Sequence, residues 1–393
     1  MNKAILYPKV QEFILNNLKS DLTRLVLKGS PFPDVSVQEL AQQIAALKTA
    51  EKKLPSWFST ENLIFPPKLN LEQTSSEVTA RYKASLVSGK NMADLTGGFG
   101  IDSYFFSRQV EQLHYCELNE ELAELAAHNF KILGAENIEV HSGNGLDFLR
   151  NSEAEFDWIY LDPARRDDHG GKVFRLADCT PDVPANLNLL FSRTGNIMVK
   201  SSPLLDLKAG IEELEKVAEI HIVAVNNEVK ELIWLLEKIP SAETVVKTVN
   251  FGKKEVQSFE GPFSSSSGET IFKLPENFLY EPNAALMKSG LFDLIAKKTA
   301  TSKLHPNSHL YTSEELQEFP GRKFEILDTS PFNIKDLKKK LKLKKANITT
   351  RNFPDSVEKI LKKLKIQEGG DSYLFFTTNL KEEKIVLICR KVK

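Results

Sequence analysis

Four short stretches carry residue types able to do chemistry. The first is Ala93-Asp94-Leu95-Thr96-Gly97-Gly98-Phe99-Gly100, after an apolar run and ahead of a helical pattern. Glycines there let the backbone pass close to a ligand, and the helix N-terminus favours polar or anionic groups. Such a turn can bind a dinucleotide, a nucleoside or nothing. The dinucleotide pattern, counted from Gly98 and Gly100, needs glycine or alanine at position 103; Ser103 stands there, which speaks against a nicotinamide cofactor. The second stretch ends in Cys116-Glu117. Glu117 can accept two ribose hydroxyl hydrogen bonds, or it is an exposed loop carboxylate. The third is Ser142-Gly143-Asn144-Gly145, where Asn144 can read an adenine edge or cap the helix that starts there.

The fourth stretch runs from Phe156 to Asp162 and continues Pro163-Ala164-Arg165-Arg166. An Asp-Pro at the carboxyl end of a strand lies in the crevice where open α/β sheets bind ligands, and proline stiffens the backbone beyond the acid. The same pair also serves as an ordinary turn. Arg165 and Arg166 can grip a phosphate or planar acid bidentately, or pair with Asp167, Asp168 or Asp178. Cys179 follows Asp178, a neighbour that raises a thiol pKa and so disfavours a covalent route. The 7 histidines show no metal-ligand spacing, and Pro306 interrupts His305 and His309, so no metal is expected.

The elements that must position these residues follow from hydrophobic periodicity. Helical spacing over residues 9–28 and 36–53, with a Ser36/Glu39 capping box, predicts a small helical domain. Thr74-Ser75-Ser76-Glu77 reads as a second capping box opening a helix. Strands are predicted at 91–95, 112–116, 137–141, 156–161 and 195–200, with helices at 101–109, 119–134, 144–150, 184–193 and 203–216. That alternation implies a parallel sheet covered on both faces. Residues 220–226 and 230–237 follow with a link too short for a parallel crossover, so they form an antiparallel hairpin. Beyond Pro240 the signals are mixed, with a helix expected after Pro282. From Gly321 the pattern reads strand, basic helix (334–345), strand, helix (354–365) and two strands (372–378, 384–390).

The glycine turn, Glu117, the Asp162-Pro163 pair and the terminal hairpin together resemble the class I S-adenosylmethionine-dependent methyltransferases over about residues 73–237. The resemblance implies a Rossmann-like α/β sheet whose parallel strands end in an antiparallel hairpin, with S-adenosylmethionine as cofactor. It places Asp94, Gly98 and Gly100 around the methionine moiety, Glu117 on the ribose and Asn144 near the adenine, with Thr96, Gly97 and Gly145 also binding the cofactor. Asn144 stands where the family usually has aspartate. The stretches EQTSSEVTARYKA (72–84), DLTGGFGID, YLDPARRD, FRLADCTPD (174–182) and EPNAALMKSGLFD (281–293) are similar to bacterial methyltransferases with ferredoxin-like and THUMP-like C-terminal domains, and in turn to the trimethylguanosine synthase group. By that resemblance Thr74, Ser75 and Ser76 close over the cofactor, a role their helix-capping chemistry does not require.

The implied division is an N-terminal helical domain (1–72), a methyltransferase domain (73–240), a ferredoxin-like connecting domain (241–320) and a basic THUMP-like domain (321–393), the last two being small α/β domains. The expected activity is methyl transfer to a nitrogen of an RNA base, in a structured RNA such as tRNA or rRNA, with Asp162 and Pro163 at the catalytic centre. One departure matters. Nucleic-acid amino-methyltransferases usually follow the acid or amide with two prolines and an aromatic that stacks on the base; Ala164 and Arg165 replace the second proline and the aromatic. Stacking then falls to Phe174 or Tyr104, or the substrate is not a base. Rival readings are a methyltransferase for a protein or small molecule, and a non-catalytic, cofactor-sensing RNA binder.

Composition sets the frame. The chain has 393 residues, 41% apolar and 27% charged, which excludes a disordered chain and fits two or three domains. Three separated cysteines exclude a disulfide scaffold and fit a reducing compartment. No apolar run reaches membrane-helix length, and Pro8, Lys9 and Glu12 interrupt the N-terminus too early for a signal peptide, so a soluble, cytoplasmic protein is expected. The net charge of −1 hides an asymmetry: residues 321–393 hold 19 Lys and Arg against 9 Asp and Glu. Lys338, Lys339, Lys340, Lys342, Lys344 and Lys345 concentrate it, with Leu337 and Leu341 interleaved. This reads as a contact for polyanionic RNA, or as a solvated helix face.

Overall fold

In the computed structural model of the chain, residues 2–165, 175–240, 243–264, 270–341 and 343–392 are described, Arg165 by its backbone alone. Arg166, Phe174 and Lys342 lie outside the described residues. The chain divides into two compact units, residues 1–218 with 232–241, and residues 219–231 with 242–393.

The first unit is built on parallel strands β1 (Gly89–Asp94), β2 (Val110–Glu117), β3 (Ile138–Ser142), β4 (Trp158–Leu161) and β5 (Asn196–Ser201). The chain then makes the hairpin of β6 (Val217–Val225) and β7 (Glu228–Glu237) through Asn226 and Asn227, both at positive φ. The strand order is β3-β2-β1-β4-β5-β7-β6, with β7 antiparallel to β5. This is the class I methyltransferase order, so the α/β fold read from the sequence holds. Met92, Ala93, Leu113, Ile159, Leu161, Met198 and Val199 are fully buried. Near-continuous apolar strands are what a sheet covered on both faces requires, and each of these side chains larger than alanine contributes about 1.5–3 kcal/mol. Packing is close enough that a Cβ on Gly210 would fall 2.3 Å from the Trp234 ring.

The N-terminal helices differ in detail from expectation. The long segment 9–28 breaks into Pro8–Asn16 and Leu22–Lys28. Asn17 donates from Nδ2 to the Phe13 carbonyl, and Asp21 accepts from the Thr23 N–H, so polar side chains take over the backbone there. The Ser36/Glu39 capping box is present and opens the helix Val37–Lys53. The second box is displaced. Thr74 ends the helix Lys68–Gln73, and Ser76, not Thr74, caps the helix Glu77–Ala84 through the Thr79 N–H. Gln43 exchanges two hydrogen bonds with the Phe65 backbone, and Asn129 exchanges two with Ile64. These ties hold Trp57 and Phe65 against Phe99 of the glycine turn, with ring centroids 5.0 and 5.8 Å apart.

In the second unit β6 pairs in parallel with β8 (Val245–Phe251), which pairs antiparallel with β9 (Val256–Pro262). A separate sheet contains β10 (Phe278–Pro282), β11 (Ser302–Lys303), β12 (Tyr311–Ser313), β13 (Gly321–Pro331), β14 (Lys345–Arg351), β15 (Gln367–Thr378) and β16 (Lys384–Lys391). Its order is β11-β12-β10-β13-β16-β15-β14. One core joins Leu279, Leu304 and Leu310 to Phe324, Phe375 and Leu387. A second core joins Leu337, Ile360 and Leu364 to Leu374, Phe376 and Val386, under the helices Ile334–Leu341 and Val357–Leu364. The basic helix stops at Leu341 rather than at Lys345, because Lys345 opens β14. No helix among the described residues is long and apolar enough to cross a membrane.

Candidate functional site

The glycine turn is held from three sides. Gly98 has φ +57° and Gly100 φ +84°, conformations that favour glycine. A Cβ on Gly97 would lie 2.1 Å from the Tyr115 ring, and one on Gly100 would lie 2.4 Å from the Phe130 ring. At Gly98 the nearest atom to such a Cβ is 3.9 Å away, so the turn is closed at Gly97 and Gly100 and open at Gly98. Tyr115 donates its hydroxyl to the Gly98 carbonyl at 2.5 Å.

Glu117 ends β2 and reaches this turn. Its Oε2 accepts the Gly98 N–H at 2.8 Å, and its Oε1 accepts the Asn119 N–H at 2.8 Å. Each oxygen keeps a lone pair, so the carboxylate can still accept hydroxyl donors. Gly143, also open to space, follows at the end of β3, where its N–H donates to the Glu117 carbonyl at 2.8 Å. Asn144 caps the helix Gly145–Asn151 by accepting the Leu146 N–H at 2.9 Å. A Cβ on Gly145 would strike the Leu95 carbonyl oxygen at 2.3 Å, so its role is close packing against the turn.

Asp94 lies beneath the turn and is fully buried. Oδ1 accepts the Thr96 N–H at 3.0 Å and Oδ2 accepts the Ser103 hydroxyl. Burial pushes its pKa up to about 7, against those hydrogen bonds and helped by the nearby charges of Asp102 and Asp162. Ser103, which breaks the dinucleotide pattern, therefore has a specific task here.

Asp162 ends up beside the turn. Its N–H donates to Thr96 Oγ1 at 2.6 Å, and its Oδ2 meets the Lys200 ammonium, from β5. The acid is about one-third exposed, with 35% of its side-chain surface accessible. After Pro163 the backbone is anchored by Ala164 and Arg165 pairing with Thr180 and Cys179. Cys179 is buried and donates to the Arg175 carbonyl at 3.5 Å. Tyr104 packs edge-on against Trp57 at 5.6 Å and against Phe105 at 5.1 Å.

A second polar cluster was not read from the sequence. Lys83, with no exposed surface, lies 3.3 Å from Asp102 Oδ1 and donates to Ser75 Oγ at 2.9 Å. Asp102 Oδ2 accepts from Ser75 Oγ and from the Tyr160 hydroxyl, both at 2.8 Å. Burial alone would raise the Asp102 pKa, but the charges of Lys83 and Lys200 with these hydrogen bonds bring it below the ordinary value. Ser75 is thus committed to this cluster and Ser76 to its helix cap. A charged residue at the end of the apolar run Ile197-Met198-Val199 was the available signal for Lys200. Lys83, on a short polar helix, offered none.

In the second unit Lys338, Lys339, Lys340, Lys344 and Lys345 are exposed, while Leu337 is buried beneath them. Lys340 is engaged by Asp328 and by Ser330 Oγ at 2.6 Å. Lys359 and Lys362 stand exposed on the neighbouring helix.

Fold and site together define a Rossmann-like class I methyltransferase architecture with appended α/β domains. Residues 278–320 match the ferredoxin-like domain and residues 321–391 the THUMP-like domain. The chain belongs to the family of a candidate methyltransferase from Porphyromonas gingivalis W83, at 33% identity over 100% of this chain and 99% of that one, with a TM-score of 0.88. Among smaller matches are an rRNA methylase from Streptococcus thermophilus (12% identity, 42% of this chain, 98% of that one, TM-score 0.31) and a candidate methyltransferase from Streptococcus mutans solved with S-adenosylhomocysteine (11%, 42%, 97%, 0.32). No curated protein matches the sequence.

The residues present fit S-adenosylmethionine. The turn is open at Gly98, the Glu117 carboxylate is acceptor-only, and Gly143 leaves space at the end of β3.

Proposed function

We propose that the protein is an S-adenosylmethionine-dependent methyltransferase that modifies RNA. One relation carries the reading: Glu117 and Asp162, from different strands, are both hydrogen-bonded to the same glycine turn, through Gly98 and Thr96. The turn from Thr96 to Gly100 holds the cofactor, Glu117 takes the ribose hydroxyls, and Asn144 and Gly145 flank the adenine. Asp94 supports the turn from below, and Ser75 and Ser76 fix the helix before β1. Bound S-adenosylmethionine supplies an electrophilic methyl group on a good leaving group, so the protein's own task is positioning and exclusion of water.

In the leading reading the acceptor is a nitrogen of an RNA base. Asp162 accepts a hydrogen bond from the amine and aims its lone pair, while the Lys200 ammonium fixes its rotamer. Pro163 stiffens the backbone beyond it. Arg165 and Arg166 are assigned to substrate binding, with Phe174 or Tyr104 to stack on the base. Exposed lysines of the THUMP-like domain hold the RNA backbone, with Lys342 assigned to the same group.

The Asp162–Lys200 pair favours a second reading. The Asp162 carboxylate beside the acceptor can take the proton that an alcohol nucleophile must lose, while the Lys200 ammonium holds that carboxylate in place. With Ala164 and Arg165 in place of the base-stacking residues, a ribose hydroxyl fits the same geometry. Transfer of labelled methyl to fractionated RNA, followed by nucleoside mass spectrometry, tests the proposal. A label on a base supports the first reading and a label on ribose the second. No label in any RNA overturns both.

A further inference from the structure

His114 lies on β2, and Glu139 and His141 lie on its neighbour β3, the edge strand of the sheet. The parallel register sets His114 beside Glu139. His141 is two residues on and so shares the face of Glu139. Their polar atoms converge. His114 Nδ1 is 3.1 Å from His141 Nε2 and 3.4 Å from Glu139 Oε2, and His141 Nε2 is 3.6 Å from Glu139 Oε1.

These separations have a simple meaning. Ligand atoms held at about 2.0–2.1 Å from a tetrahedral ion stand roughly 3.3–3.4 Å apart. The three groups already outline one face of such a tetrahedron. Two neutral imidazoles can share one proton between their nitrogens, but that proton then serves only two of the three converging groups. A cation serves all three. The rings are also held in place: Phe148 packs on His141 at 4.4 Å and on His114 at 5.6 Å, and Phe156 meets His114 edge-on at 5.6 Å.

We infer that His114, Glu139 and His141 form a binding site for a divalent transition-metal ion of the zinc type. Two imidazole nitrogens and a carboxylate suit zinc, whereas magnesium and calcium take oxygen ligands. Glu139 is 55% exposed and His141 26% exposed, so water can complete the coordination. The site shares no residue with the glycine turn or Asp162, and its effect is to clamp edge strand β3 to β2. It does not rest on the methyltransferase reading. Spacing along the chain conceals it, because the ligands come from different strands.

The test uses the full chain stripped with a chelator and titrated with zinc or cobalt(II). One equivalent should bind. Cobalt should give the visible absorption of a tetrahedral site, and zinc should displace it. Zinc but not magnesium should raise the melting temperature by roughly 2 °C or more. His141→Ala and, at the exposed position, Glu139→Gln should each weaken binding by about tenfold or more. Glu139→Gln should also melt like the unaltered metal-free protein, which separates lost binding from lost folding. Absence of a saturable equivalent, or undiminished binding in both variants, overturns the inference.

Discussion

The backbone N–H of Asp162 donates to Oγ1 of Thr96 at 2.6 Å, so the acid at the end of β4 is tied to the glycine turn at the end of β1. A candidate catalytic group and a candidate cofactor turn are therefore positioned by one hydroxyl. Replacing Thr96 by valine keeps the shape and leaves the Asp162 N–H without its acceptor. At about 1–3 kcal/mol for such a loss, methyl transfer should fall roughly 5- to 100-fold, and Thr96→Ser should recover most of it. Single-turnover kinetics of the two variants check this. An undiminished rate in Thr96→Val would show that the hydroxyl does not matter.

Glu117→Ala should lower S-adenosylmethionine affinity at least about tenfold, because two charge-assisted hydrogen bonds of about 1.5–3 kcal/mol each are removed. The Gly98 N–H also loses its acceptor, so Glu117→Gln, which keeps an amide oxygen, should bind better than the alanine variant. Calorimetry on both decides it. Unchanged affinity in the alanine variant takes Glu117 out of the site.

Asp94 makes a prediction about pH. Its carboxyl is raised from 3.8 to about 7 in the fold, chiefly by burial. Below the lower value the acid is protonated in folded and unfolded chains alike and costs nothing. As pH climbs through that window the unfolded chain ionises first, so the folded state loses stability, and the loss levels off above the upper value. Asp94→Asn keeps an oxygen for the Thr96 N–H and removes the titration. The variant's melting temperature should gain on the unaltered protein between pH 5 and pH 8. Parallel melting curves at both ends would mean that Asp94 does not titrate in this range.

The basic surface calls for substitutions rather than truncation. Deletion from Gly321 would strip Phe324, Phe375 and Leu387 from the core that also holds Leu279, Leu304 and Leu310. Replacing Lys338, Lys339, Lys344 and Lys345 by alanine leaves Leu337 and both cores intact. RNA affinity should fall, and the log–log salt slope should become shallower by about 0.7 for each single-strand phosphate that the lysines no longer neutralise. An unchanged slope would make the lysines a solvated face.

Much of this was legible in residue order. The strands β1 to β5 and the β6/β7 hairpin announce themselves because doubly covered strands are apolar throughout and the link is too short to cross over. The displaced cap at Ser76 was not legible, because Thr74 and Ser76 offer the same chemistry and only the end of the preceding helix decides between them. Strands β8 and β9 follow a stretch of mixed signals, and their pairing with β6 depends on tertiary contact. At the site, Asp94, Glu117 and Asp162 stand out as acids at strand ends. Lys83 and Lys200 did not, since a lysine is read as surface unless its buried partner is known. Removing such a lysine has a cost: Lys83→Ala leaves Asp102 buried without its ion pair and should destabilise the fold by about 3–5 kcal/mol, measurable by urea denaturation.

The central claim is that Asp162 acts on the methyl acceptor, and single-turnover transfer paired with cofactor titration in Asp162→Ala tests it most directly. An aimed polar group of this kind is worth about 10²–10³ in rate. Transfer of labelled methyl to RNA should therefore fall by about that factor, with S-adenosylmethionine affinity near that of the unaltered protein and a melting temperature lowered by the loss of the Lys200 partner. Undiminished transfer would contradict the account and move the chemistry away from Asp162, and lost cofactor binding would make Asp162 part of the cofactor site instead.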